Sequence, residues 1–209
     1  PRLDYSNGTC PSLLVEPQRT NLLTYSSSFD TNLPWLPYGG VVITANNATS
    51  PDGTMNADKF SVNGVYNTDF IFAINTAYAL SVFIKKDTAT SFNFEYVDTS
   101  GPFTGGSISY NFATETITIT QSPNNSVSGT SEDYGNGWIR LTILFTTNVA
   151  KNYNYMATGF IGGSGWIYGA QLEAGSYATS YIPTTSASVT RNADVISKNP
   201  SAFLGANTG

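Results

Sequence analysis

Tyr78-Ala79-Leu80-Ser81-Val82-Phe83-Ile84-Lys85-Lys86-Asp87 is the stretch whose reading decides the fold class. Tyr78, Leu80, Val82 and Ile84 recur at every second position, and the charged Lys85-Lys86-Asp87 run closes the segment. Side chains two apart share one face of a strand, so this reads as a half-buried strand. The period persists on both sides of it. Phe92, Phe94 and Tyr96 alternate with Asn93, Glu95 and Val97, while Ile108, Tyr110 and Phe112 alternate with Ser107, Ser109 and Asn111. After a turn at Ala113-Thr114-Glu115, Ile117 and Ile119 alternate with threonines. Ile139, Leu141, Ile143 and Phe145 follow the turn signal Tyr134-Gly135-Asn136-Gly137. Two more strands are expected over residues 152–161 and 166–173.

No amphipathic helix separates these segments, and Gly, Pro, Asn and Asp clusters do. The pattern predicts an all-β fold, an antiparallel β-sandwich of jelly-roll type, rather than an α/β one. Residues 1–20 and 183–209 are rich in Pro, Ser, Thr, Asn and Ala without periodicity. They are expected to be extended N- and C-terminal arms, or linkers, flanking a sandwich over residues 21–182.

Composition narrows the function classes. Charged residues make up only 11% of the 209 residues, so Ser, Thr, Asn, Gly and Tyr must dress the surface. Nine Lys and Arg are scattered in a chain of net charge −5, which leaves no basic stripe for a phosphate backbone and argues against nucleic acid. No run of residues is apolar enough for membrane insertion. With no histidine, Ser-His-Asp and Cys-His chemistry and the commonest zinc ligand are excluded. The single cysteine, Cys10, lacks an internal disulfide partner and a neighbouring cation, and reads as an inert thiol.

Several segments form an ordered series: Pro1-Arg2-Leu3-Asp4-Tyr5, Leu13-Leu14-Val15-Glu16-Pro17-Gln18-Arg19-Thr20-Asn21-Leu22-Leu23, Ser50-Pro51-Asp52-Gly53-Thr54, Gly169-Ala170-Gln171-Leu172-Glu173-Ala174-Gly175, Thr179-Ser180-Tyr181-Ile182-Pro183-Thr184 and Thr190-Arg191-Asn192-Ala193-Asp194. The series resembles a family of domains in phage tail or fibre proteins and bacterial surface proteins, over nearly the whole chain. More distantly, a Trp in the first loop, the Pro-Asp-Gly-Thr turn, Tyr78 to Lys85 and Gly137-Trp138-Ile139-Arg140-Leu141 are similar in order to jelly-roll carbohydrate-binding modules attached to xylanases and cellulases. The resemblance implies a sandwich fold and a virion, extracellular or cell-surface setting. Its matching segments read as folding determinants and carry no ligand residues across.

For a ligand, the sequence points to tyrosines that alternate with polar residues. Tyr96, Tyr110, Tyr153 and Tyr155, with Asn111 and Asn154 and beside Asn93, Glu95 and Asn152, are the candidate glycan-binding residues on a concave sheet face. Aromatic rings stack on pyranose faces, and amides hydrogen-bond hydroxyls. Trp35, in a proline-stiffened loop with Tyr38, is a further stacking candidate, with folding back onto the core as its alternative. Trp138 and Trp166, each behind a glycine-containing turn, are expected to pack. Pro51-Asp52-Gly53-Thr54 has the chemistry of a tight turn. Glu95 is the one strand carboxylate flanked by aromatics, too little for a glycosidase pair. A structural calcium would suit the fold, though no ligands stand out.

Three functions follow in descending order. The first is a non-catalytic module binding a surface polysaccharide, its weak affinity multiplied in a homotrimeric fibre. The second is a structural or decoration domain contacting other virion or surface-protein subunits. The third is a polysaccharide-cleaving enzyme, for which only a lyase-like pairing of Arg140 with a tyrosine offers itself.

Overall fold

The computed structural model describes residues 2–4, 12–30, 34–68, 72–98, 104–121, 126–147 and 154–196, with residues 2–4, 12, 97–98, 104, 121 and 154–155 as backbone alone. Cys10 lies outside these. The chain divides into two compact units, Thr20–Val189 and a smaller one formed by Pro1–Arg19 with Thr190–Gly209.

In the smaller unit β1 (Arg2–Asp4) pairs antiparallel with β2 (Ser12–Leu14). Glu16 and Asp194 are joined through backbone and side chain, and Arg191 Nη1 stands 3.0 Å from Glu16 Oε2. Strands β3 (Arg19–Asn21) and β16 (Val189–Arg191) mark where the chain passes from one unit to the other.

The larger unit is an antiparallel sandwich of two six-stranded sheets. The front sheet has the order β11-β10-β9-β14-β7-β4, built from β4 (Trp35–Tyr38), β7 (Asn63–Asn67), β9 (Ser91–Asp98), β10 (Thr104–Asn111), β11 (Thr116–Gln121) and β14 (Asn154–Ile161). The back sheet has the order β12-β13-β8-β15-β6-β5, built from β5 (Ile43–Thr49), β6 (Met55–Phe60), β8 (Thr76–Lys86), β12 (Val127–Asp133), β13 (Trp138–Thr147) and β15 (Gly165–Ala174).

The predicted period two places the core between the sheets. From the back sheet come Leu80, Val82, Ile84, Leu141, Ile143 and Phe145; from the front sheet come Phe92, Phe94, Tyr96, Ile108, Tyr110 and Phe160. The sheets meet ring against ring: Tyr96 stacks on Phe145 at 3.8 Å, and Phe60 meets Phe160 edge-on at 6.3 Å. Aromatic pairs of this kind add to the stabilisation that area burial already provides.

The outward side of the back sheet is also covered. Phe83, Trp138, Tyr168 and Ala57 form a second buried cluster there, and Tyr181 packs onto it. The segment carrying Tyr181 crosses this face because buried polar side chains hold its backbone. Gln171 Oε1 accepts from Ile182 N at 2.6 Å, and its Nε2 donates to Thr179 O and Ser180 O. The Glu173 carboxylate accepts both Thr179 N and the Thr179 hydroxyl. Asn21 Nδ2 donates to Ala170 O and Ile182 O, and its Oδ1 accepts from Leu23 N and Leu172 N. Thr184 Oγ1 donates to Leu23 O at 2.6 Å. Arg140 Nη2 reaches Ser81 Oγ and Thr179 O, with its guanidinium 5.2 Å from the Phe83 ring.

Turn chemistry agrees with the sequence at two loops. Asp52 Oδ1 accepts from Thr54 N, Thr54 Oγ1 and Ser50 Oγ, and Gly53 takes a φ of 87°. Gly135, Asn136 and Gly137 all have positive φ, which the Tyr134 to Gly137 turn requires. Trp138 is buried, with Nε1 donating to Thr49 O; Trp166 is half-buried beneath the Lys59 ammonium, 5.0 Å from its ring.

Asp58, on β6, is buried at 1% exposure and accepts from Phe29 N and Asn46 N, each at 2.9 Å. Burial pushes its pKa up to about 6, and Asp30 adds to the rise while the two N–H groups oppose it.

Two outcomes follow for stability. Asn21→Ala strands several buried backbone groups at once, and should lower unfolding free energy by about 3 kcal/mol in urea with the m-value unchanged. Because the Asp58 pKa is higher folded than unfolded, the folded state takes up a proton first as pH falls. Stability should therefore increase from pH 7 toward pH 4, by up to about 3 kcal/mol from this group. Below that range Asp52, whose pKa is held down by its hydrogen bonds against the opposing effect of burial, reverses the trend. Urea midpoints at pH 4, 5, 6 and 7 check the profile, which Asp58→Asn should flatten between pH 4 and 6.

Candidate functional site

Among the described residues, the outward side of the front sheet carries exposed Tyr38, Asn93, Thr118 and Thr120. On β9 the inward parity belongs to Phe92, Phe94 and Tyr96, so Asn93 and Glu95 point outward. The ladder then aligns outward residues in rows across the strands. One row runs Leu36, Tyr66, Ala157, Glu95, Ser107, Thr120, and the next runs Tyr38, Gly64, Gly159, Asn93, Ser109, Thr118. At about 4.8 Å per strand, each row spans about 24 Å.

One end of the two rows is hollow. A pocket of about 340 Å3 is lined by Tyr38, Tyr66, Glu95 and Ala157. Two glycines let Tyr38 lie close over the neighbouring strands. Gly64 and Gly159 sit side by side on β7 and β14, and a Cβ on Gly159 would stand 2.8 Å from the Tyr38 hydroxyl oxygen. The Tyr38 side chain therefore reaches across β7 to β14 over a surface without side chains. Asn63 Nδ2 donates to Gly39 O at 2.7 Å and pins the end of β4 that carries Tyr38.

Glu95 supplies the charge. Among the described residues it has no hydrogen-bond or ion-pair partner, and burial pushes its pKa above the ordinary carboxylate value. None of the six strands of this sheet contains a Lys or Arg. Two tyrosines beside a half-buried carboxylate that has no partner among the described residues, bordered by Ser, Thr and Asn, form a small mixed apolar and acceptor site.

The residues singled out from the sequence fall elsewhere in three cases. Trp35 is fully buried against Phe29 at 4.9 Å, and its Nε1 donates to Tyr25 O. Tyr96 and Tyr110 are each 3% exposed and belong to the core. The physical reason is parity: Tyr96 shares a face with Phe92 and Phe94, and Tyr110 shares one with Ile108, so neither ring can stack on a ligand. Asn111 is exposed, but its Oδ1 accepts from Ala113 N and Thr114 N and closes the β10–β11 hairpin. Tyr153 lies outside the described residues, as do the side chains of Tyr155 and Asn154, whose backbones pair with Val97 and Asp98.

Tyr66 is not among the residues to which the sequence points, and Tyr38 is exposed where Trp35 is buried. The available signal was the alternation Gly64, Tyr66 against Val65, Asn67, too short to stand out. Arg140, the lyase candidate, is engaged on the back sheet. Among the described residues no three Asp, Glu, Cys or His side chains converge, so the structure identifies no calcium ligands.

No protein-family model matches the chain, and no curated protein matches it. Among solved structures it is similar to the enzymatically active domain of tailspike protein 4 of bacteriophage CBA120, at 15% identity and a TM-score of 0.47, covering 73% of this chain and 21% of that one. It is also similar to the CBM22-1–GH10 modules of a Clostridium thermocellum endo-1,4-beta-D-xylanase 10B complexed with xylohexaose, at 13% identity and a TM-score of 0.48, covering 80% of this chain and 30% of that one. The chain thus spans less than a third of the length of either.

Proposed function

We propose that the chain is a non-catalytic carbohydrate-binding module of a phage tail or fibre protein, or of a bacterial extracellular protein, and that it binds surface polysaccharide on the outward side of the front sheet. The observation that carries this reading is the pocket of Tyr38, Tyr66 and Glu95 opening onto the rows of Ser, Thr and Asn. Aromatic rings offer faces to the C–H side of a pyranose, and the carboxylate and hydroxyls accept and donate to its hydroxyl groups. Among the described residues the pocket lining contains one carboxylate, whereas glycoside hydrolysis generally needs two, which supports binding without chemistry. The virion or cell-surface setting rests on the resemblance of the Gly169 to Gly175 and Thr179 to Thr184 segments.

A second reading, a virion decoration domain working through assembly contacts, has one observation in its favour. Leu13, Val15, Val195 and Ile196 of the smaller unit are all exposed. Exposed apolar side chains suit subunit contacts, and the two readings are compatible in a homotrimeric fibre.

A glycan array probed with the full chain, presented as a multimer, tests the first reading. Tyr66→Ala should weaken a hit about tenfold or more, and Tyr38→Ala should do the same. Folded protein that binds no glycan would overturn it. For the second reading, light scattering should find an oligomer that Val195→Asp combined with Ile196→Asp breaks to monomers.

A further inference from the structure

Resting on the glycan-binding reading above, we propose that the Tyr38–Tyr66–Glu95 pocket selects a sugar unit carrying a free ammonium group, so that the ligand class is an amine-bearing, cationic polysaccharide.

Three observations converge on a cation. The first is the uncompensated carboxylate. Glu95 lines the pocket without a partner among the described residues, and no Lys or Arg exists in any strand of its sheet. Sugar hydroxyls could hydrogen-bond this carboxylate, yet a neutral ligand would displace water and leave its charge in a drier place. An ammonium group supplies the hydrogen bonds and the opposite charge together, and charge-assisted bonds are about twice as strong as neutral ones.

The second observation is the pair of rings. Tyrosine faces carry negative quadrupole potential, so Tyr38 and Tyr66 favour a cation held near Glu95. The third is the field of the chain: with nine cationic and fourteen anionic residues, a net charge of −5 draws a polycation and repels an acidic polysaccharide. Burial raises the Glu95 pKa, and a bound ammonium would oppose that rise.

The test uses two β-1,4-linked glucosamine hexamers of identical backbone, one with free amines and one fully N-acetylated. Each is titrated calorimetrically into the full chain at pH 6, where the amines are largely protonated. The free-amine hexamer should bind at least tenfold tighter than its N-acetylated counterpart. Glu95→Gln should bring that ratio close to one, because the neutral amide cannot compensate an ammonium. Glu132→Gln removes the same charge from an exposed position on β12 of the other sheet, and should leave the ratio unchanged.

Equal affinities for both hexamers would overturn the amine preference while the glycan-binding reading stood. A ratio that falls as far in Glu132→Gln as in Glu95→Gln would assign it to bulk charge and overturn the role of the pocket. Failure of the folded chain to bind either hexamer, together with a blank glycan array, would remove both readings.

Discussion

Alternation along β9 is the constraint on which both core and surface depend. Phe92, Phe94 and Tyr96 leave one side of the backbone, and Asn93 and Glu95 leave the other. A slip of one residue would expose three rings and bury a carboxylate without partners, so the register is strongly specified. Its neighbours repeat the choice. Ile108 and Tyr110 on β10, Met156 and Phe160 on β14, Val65 on β7 and Trp35 on β4 all turn inward at the aligned positions. Because one decision sets every row, the outward face is equally determined, including the adjoining Tyr66, Ala157 and Glu95.

The two sheets then diverge in how they treat their outer sides. The back sheet carries apolar Phe83, Tyr168 and Trp138 outward, and these must be covered. Covering them brings peptide groups of residues 179–184 into a dry environment, where each needs a partner. Gln171, Glu173 and Asn21 provide those partners at fixed positions. A one-methylene change such as Gln to Asn at residue 171 would move the amide out of reach of Ile182 N. Over β9 to β11 the front sheet bears hydroxyls and amides outward and requires no cover.

Long, strongly alternating segments were legible from sequence: Tyr78 to Ile84, Ile139 to Phe145 and Phe92 to Val97 all fall within observed strands. Strands β4 to β7 and β12 were not, since Asn63-Gly64-Val65-Tyr66-Asn67 offers a single apolar inward residue and Val127 to Asp133 is mostly polar. For the site, the sheet was legible, and strand parity decides which of its tyrosines face outward. Tyr96 adjoins Glu95 and Tyr110 adjoins Asn111, and neighbours on a strand point to opposite sides. Tyr38 and Tyr66 come from separate strands that only the ladder unites, with two glycines whose purpose appears once β7 lies against β14. Single-chain periodicity holds no record of that pairing.

Among the described carboxylates of the sandwich, desolvation prevails at two, and hydrogen-bond accounting separates their roles. Burial raises the pKa of both Asp58 and Glu95. Asp58 returns two backbone N–H bonds for that cost, fixing Phe29 and Asn46, and so explains itself as structure. Glu173 does the same for Thr179, and Asp52 accepts from its own turn and from Tyr168. Glu95 lines a pocket with Tyr38, Tyr66 and Ala157 and fixes nothing among the described residues. A glutamine, serine or threonine at that position would suit a strand facing solvent at least as well, without the penalty of a partly buried charge. What distinguishes glutamate there is the charge itself, and a charge that fixes no part of the described residues is available to a ligand.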